Sequence, residues 1–141
     1  MCRVVLDIET NMAHDHIWLC VTKDIDTKEV RIWKEAKSLK DYLKGTTLIV
    51  GHNAIAFDCY LLNKLWNTKI RKTTIHDTLV VSRLLDPSRE RGHSLDAWGK
   101  ELTAQKLDYR AVWLWLTNRS SVDTPKGMEF DEPHMPLLEY Y

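Results

Sequence analysis

Two acids two residues apart stand inside an apolar run near the start of the chain: Val4, Val5, Leu6, Asp7, Ile8, Glu9, Thr10. An extended strand alternates its faces, so Val4, Leu6 and Ile8 point one way while Asp7 and Glu9 share the other with Val5. Two carboxylates on one half-buried face repel each other and lose hydration, which calls for compensation. A hard divalent cation supplies it, because Mg²⁺ and Mn²⁺ take carboxylate oxygens and keep several waters. The plainer reading is a strand end whose two acids face water.

A second constellation lies about fifty residues on, in Leu48-Ile49-Val50-Gly51-His52-Asn53-Ala54-Ile55-Ala56-Phe57-Asp58. A short apolar strand runs into Gly51-His52-Asn53, and a helical pattern follows, with Phe57, Leu61 and Leu65 at spacings of four and Leu62 beside them. Asp58 then falls in the first turn of a helix that follows a strand end, a place from which it can meet the acids of the first strand. Its plainer roles are a first-turn acid complementing the helix dipole and, for Asn53, an ordinary turn residue.

Asp-x-Glu in a first strand followed by Asn-x-x-x-Phe-Asp after another resembles the 3′–5′ exonuclease superfamily, whose members hold metal with four acids. Two further segments narrow the likeness. His76-Asp77-Thr78-Leu79-Val80-Val81-Ser82-Arg83-Leu84-Leu85 and His93-Ser94-Leu95-Asp96-Ala97-Trp98-Gly99 resemble the proofreading domain of short-tailed-phage DNA polymerases of family A. The resemblance runs from Val4 to Tyr140. It implies two-metal phosphodiester hydrolysis with Mg²⁺ or Mn²⁺, acting on single-stranded DNA or a primer 3′ end. By that likeness Asp7 bridges both ions, Glu9 holds the ion that activates water, and Asp58 holds the second ion through water. Tyr140 orients the water, and Thr10, Asn53, Phe57 and His93 lie toward the substrate.

In the same family the last acid belongs to a Tyr-x-x-x-Asp motif on a C-terminal helix. Leu137-Leu138-Glu139-Tyr140-Tyr141 reads as the start of that helix, cut short, with the aspartate expected four residues beyond Tyr140. A chain without that acid and without a polymerase module is expected to be a weak nuclease in isolation. A reading from another class stands beside it: a non-catalytic remnant or subunit that binds single-stranded DNA or a polymerase chain, or a half-site completed by another chain.

Composition sets bounds on both readings. At 141 residues with 44% hydrophobic side chains, the chain suits one small domain with a real core. Lys plus Arg equals Asp plus Glu at 20 each, so no global field draws in a polyanion and any nucleic-acid attraction is local. Three widely spaced cysteines, Cys2, Cys20 and Cys59, form no Cys-x-x-Cys pair, which argues against a disulfide framework or zinc site and fits the cytoplasm. No apolar run reaches the length of a membrane span, and the N-terminus lacks a signal-peptide pattern, so no membrane role is expected.

The elements that must position these residues follow an α/β order. Strands are expected over 3–9, 17–22 and 30–33, with Asp26-Thr27-Lys28 turning a hairpin between the last two. Ser38 and Asp41 read as a capping box opening a helix that ends at Gly45. A strand over 47–50 leads to the helix over 57–66. Ile75 belongs to a short fifth strand, and Asp77 caps a helix over 78–85. A charged loop over 87–92 precedes a helix over 94–102, and 117–127 reads as a loop. Three hairpin-connected strands followed by alternating strands and helices imply a mixed sheet flanked by helices, ribonuclease-H-like in class. Asp96 reads as a helix decoration, and His52 as a turn or core histidine. Arg89, Arg91 and Lys100 form a modest basic group for a DNA backbone or simply a solvated loop. Trp113, Leu114 and Trp115 read as core or as a partner surface.

Overall fold

In the computed structural model, residues 2–104 are described. The first strand, β1 (Cys2–Thr10), alternates as its sequence demands: Val4, Leu6 and Ile8 are buried while Val5 and Asp7 are exposed. It pairs antiparallel with β2 (Ile17–Asp24), which pairs antiparallel with β3 (Val30–Trp33). On its other side β1 runs parallel to β4 (Thr46–Gly51), and β4 runs parallel to β5 (Ile75–Asp77). The five strands lie in the order β3-β2-β1-β4-β5, the mixed sheet that the run of elements implies.

Helices occupy the crossovers, as parallel pairs require. Helix α1 (Ala36–Leu43) joins β3 to β4, and α2 (Asp58–Trp66) joins β4 to β5. After β5 come α3 (Thr78–Leu85) and α4 (Leu95–Glu101). The core forms where α1 and α2 cover one sheet face: Val4, Leu6, Ile8, Ile17, Cys20 and Ile49 meet Leu39, Ala54, Cys59, Leu61 and Leu62. Leu62 is fully buried, a burial that contributes roughly 1.5–3 kcal/mol. On the opposite face of the three antiparallel strands, Val5, Val30 and Ile32 are exposed.

Two boundaries differ from expectation for a physical reason. Helix α1 starts ahead of Ser38, with Glu35 in the cap position and no side-chain cap; the Ser38 hydroxyl lies within the helix and donates back to the Glu35 carbonyl at 3.1 Å. Ser38 and Asp41 are therefore helical positions, not a capping box. A short 3₁₀ turn at Lys72–Thr74, which has no periodicity of its own, leads into β5. By contrast, Ser94 caps α4 by accepting the Ala97 N–H, and Asp77 caps α3. Among the described residues, no helix is long and apolar enough to cross a membrane.

Candidate functional site

The site grows from the way β1 ends. Pairing with β4 stops at Val5, whereas pairing with β2 continues to Thr10 through an irregularity between Glu9 and Thr10. The backbone of Ile8 thus has one side free of a strand partner. Asp58 fills that side: its Oδ1 accepts the Ile8 N–H at 3.1 Å, between the two acids of β1.

Gly51 makes this approach possible. A Cβ there would sit 2.7 Å from the Ala54 Cβ and 3.2 Å from the Leu6 carbonyl oxygen, so the end of β4 lies against β1 with room for glycine only. The chain then turns through Asn53, whose φ of 63° is a left-handed conformation that asparagine tolerates. Asp77 shapes this turn. Beyond capping Leu79 and Val80, its carboxylate accepts the Asn53 N–H at 2.9 Å and the Ile55 N–H at 3.0 Å. The parallel pairing of Gly51 with Asp77 brings the turn over that carboxylate.

Electrostatics mark Asp58 out. Its side chain is buried, and burial followed by the nearby Asp7 carboxylate pushes its carboxyl up from 3.8 to about 7, against the lowering effect of the Ile8 N–H. A hydrogen bond between the Asp58 and Asp7 carboxyls acts in the same upward direction. The two thiols beneath the pair feel it too. Burial, then the charges of Asp58 and Asp7, raises Cys20, and burial followed by Asp58 pushes Cys59 up to about 12. Both thiols remain protonated, apolar filler at neutral pH.

The structure therefore joins Asp7 and Asp58. Glu9 shares a face with Asp7, and the two line a groove of about 260 Å³ with Val5, Val21, Lys23 and Val30. The donor set suits a hard cation, since a positive ion beside two carboxylates relieves both repulsion and buried charge. A third ligand does not join them, because among the described residues no three His, Cys, Asp or Glu side chains are grouped to hold a metal ion.

Around the pair, Thr10 ends β1 with its hydroxyl 2.9 Å from His14 Nδ1, and the His14 ring packs edge-on against Phe57 at 4.9 Å. Asn53 is exposed on the turn before α2. Thr10, His14 and Phe57 thus form one rim beside the acids. His14 escaped the sequence reading; its one sequence signal is its place in the short turn after Thr10, where its own φ is 53°.

His93 is held against α3, its Nδ1 2.7 Å from the Ser82 hydroxyl, which also accepts Trp98 Nε1 at 2.9 Å. His52 contacts the Thr78 hydroxyl at 3.0 Å. Arg89 stacks on Trp98 at 3.7 Å and pairs with Glu101, while Lys100 pairs with Asp96 at 2.8 Å. Of the expected basic group, two members are committed to intramolecular contacts. Tyr140, Glu139, the 113–115 aromatic run and the 117–127 loop lie outside the described residues.

No protein-family model matches the chain, and no curated protein matches it. Among solved structures it is similar to the family B DNA polymerase of the hyperthermophilic archaeon Pyrobaculum calidifontis, with a TM-score of 0.62 and 15% identity. That match covers 100% of this chain and 22% of the polymerase chain, so this chain spans about a fifth of the neighbour's length. At that identity the likeness speaks for the fold, a ribonuclease-H-like mixed sheet with helices.

Proposed function

We propose that this chain is a metal-dependent 3′–5′ DNA exonuclease domain, of the proofreading type that the motifs around Asp7, Glu9, Asn53-Phe57-Asp58, His76-Asp77 and His93 resemble in family A phage polymerases. One observation carries the reading: a buried aspartate, Asp58, drawn from the start of a helix onto the edge of β1 beside Asp7, with its carboxyl pushed up to about 7. An ordinary surface acid has no reason to accept that burial.

The reaction is hydrolysis at the terminal phosphodiester. A water oxygen bonds to phosphorus, the bond from phosphorus to the 3′ oxygen of the preceding nucleotide breaks, and that oxygen takes a proton. A nucleoside 5′-monophosphate leaves and the strand is one nucleotide shorter. A divalent ion such as Mg²⁺ or Mn²⁺, when bound, would supply a lowered pKa for the attacking water and neutralise charge on the leaving oxygen. Asp7 and Asp58 would hold the cation, with Glu9 on the same strand face as the further ligand that the resemblance implies, and the Ile8 N–H fixes one Asp58 oxygen. Asp77 holds the 53–55 turn and so fixes where α2 begins. Phe57 and Thr10, braced by His14, form the rim against which a 3′-terminal nucleotide rests. Tyr140, by the same resemblance, orients the water.

The test is release of nucleotides from a 5′-labelled oligonucleotide in Mn²⁺. Stepwise shortening that Asp7→Asn and Asp58→Asn each reduce by at least a hundredfold is expected. Shortening that survives both substitutions refutes the assignment.

A second reading rests on the pairing of Asp7 and Asp58 without a third ligand grouped beside them among the described residues. In it the chain binds single-stranded DNA or a polymerase chain without cutting. Oligonucleotide binding with no shortening in either Mg²⁺ or Mn²⁺ distinguishes it.

A further inference from the structure

At the end of the sheet opposite the acids lies a cavity of about 480 Å³, lined by Lys40, Lys44, Lys69 and Arg71 together with buried Ile49. It opens where β4 begins. Thr46 pairs with Cys2, five residues before Asp7, which places the cavity roughly 17 Å from the carboxylates along β1. The first two lysines come from the last turn and cap of α1, and the other two cations come from the segment that leaves α2.

That segment is firmly held. Asn67 and Lys69 adopt left-handed φ values of 52° and 60°. The Asn63 side chain clamps the segment: its Oδ1 accepts Thr68 Oγ1 at 2.8 Å and the Ile70 N–H at 2.7 Å, and its Nδ2 donates to the Ile70 carbonyl at 2.9 Å. Lys69 and Arg71 are therefore presented from a fixed loop. Among the described residues, only Lys44 of the four cations has a carboxylate partner, Asp41 at 2.7 Å. Thr46, among the residues that line the cavity, carries a buried hydroxyl with no hydrogen-bond partner among the described residues.

Two helices end here, and their carbonyl ends disfavour an anion by about half a charge each. Four cations against Asp41 and those two helix ends still leave about two net positive charges, in a chain whose formal charge is zero. We propose that this cavity binds the phosphodiester backbone of a nucleic-acid strand, at a place separate from the acidic site. The ammonium and guanidinium groups take phosphate oxygens. That the phosphates belong to a strand rests on the exonuclease reading; the anion site itself does not.

The test uses the whole chain in EDTA, where the carboxylates attract no DNA. Anisotropy of a fluorescent fifteen-nucleotide oligothymidylate is titrated from about 50 to 200 mM NaCl. Lys69→Glu with Arg71→Glu, both exposed, should weaken binding at least tenfold. The pair should also reduce the slope of log affinity against log salt by about 1.4, for two phosphate contacts on a single strand. Lys40→Gln with Lys44→Gln should act in the same direction without charge reversal. Unchanged affinity and slope in both lysine-site variants overturns the proposal. Thymidine monophosphate competing as well per phosphate as unlabelled oligonucleotide assigns the cavity to small phosphates and overturns the strand assignment. Binding that is intact beside absent cleavage in Mn²⁺ counts against the exonuclease reading alone.

Discussion

Replacing Asp58 by asparagine separates what its charge costs from what its shape contributes. In the folded chain the carboxyl titrates at about 7, against 3.8 when unperturbed. Below about pH 3.8 both folded and unfolded forms are protonated and the shift has no effect. Between there and pH 7 the unfolded chain binds fewer protons, so stability falls as pH rises, and above pH 7 the full cost remains. About three pKa units at about 1.4 kcal/mol each set a ceiling near 4 kcal/mol. Water entry on ionisation lowers the working figure to about 2 kcal/mol. Asparagine keeps the oxygen that accepts the Ile8 N–H and has no charge to repel Asp7. Asp58→Asn should therefore be about 2 kcal/mol more stable than the parent at pH 8 and close to equal at pH 4. Urea unfolding followed by tryptophan fluorescence at pH 4, 6 and 8, in EDTA, reads this directly. Adding Mn²⁺ should then raise the parent's midpoint more at pH 8 than at pH 5.5, because binding must displace the proton, and should leave the asparagine variant unmoved. Parallel stability profiles for parent and variant across that range refute the account of Asp58 as a buried, charge-strained carboxyl.

Asp77 should matter more to folding than a single cap does. Asp77→Ala leaves four backbone N–H groups without their acceptor and should lose about 3 kcal/mol. Asp77→Asn, retaining Oδ1 for three of the four, should lose about 1 kcal/mol, and equal losses in urea melts would contradict the hub. Gly51→Ala should cost about 1–3 kcal/mol by driving a methyl into buried Ala54, and under the proposed exonuclease function it should depress cleavage by displacing Asp58 from Ile8. A variant with parental stability and parental cleavage would show that the approach of β4 to β1 has slack.

What could be read from the sequence divides along the range of the interactions involved. The alternation of β1 put Asp7 and Glu9 on one face because period two is a local property. The β5–α3 junction was equally plain, since Asp77 stands immediately before an apolar helix and its cap bonds are two and three residues away. The start of α1 was misplaced because a serine near a helix start satisfies the capping pattern whether its hydroxyl points forward or back. Long-range consequences stayed hidden. Asp77 reaches the 53–55 turn only once β4 and β5 pair, and the Asp7–Asp58 contact needs β1 beside β4. The basic cavity gathers α1 and the 67–71 segment, about thirty residues apart, and a net charge of zero conceals it. Arg89 looked like a hand for phosphates and instead stacks on Trp98, a contact no spacing rule announces.

The Ile8–Asp58 hydrogen bond has a meaning apart from chemistry. Where β4 stops pairing, the margin of β1 is an unfinished ladder, the kind of exposed main chain on which another molecule's strand can add. The Asp58 carboxylate occupies that margin in place of a strand, taking up an amide and setting a charge there. Asp58 would hold that margin against self-association with or without a cation beside it.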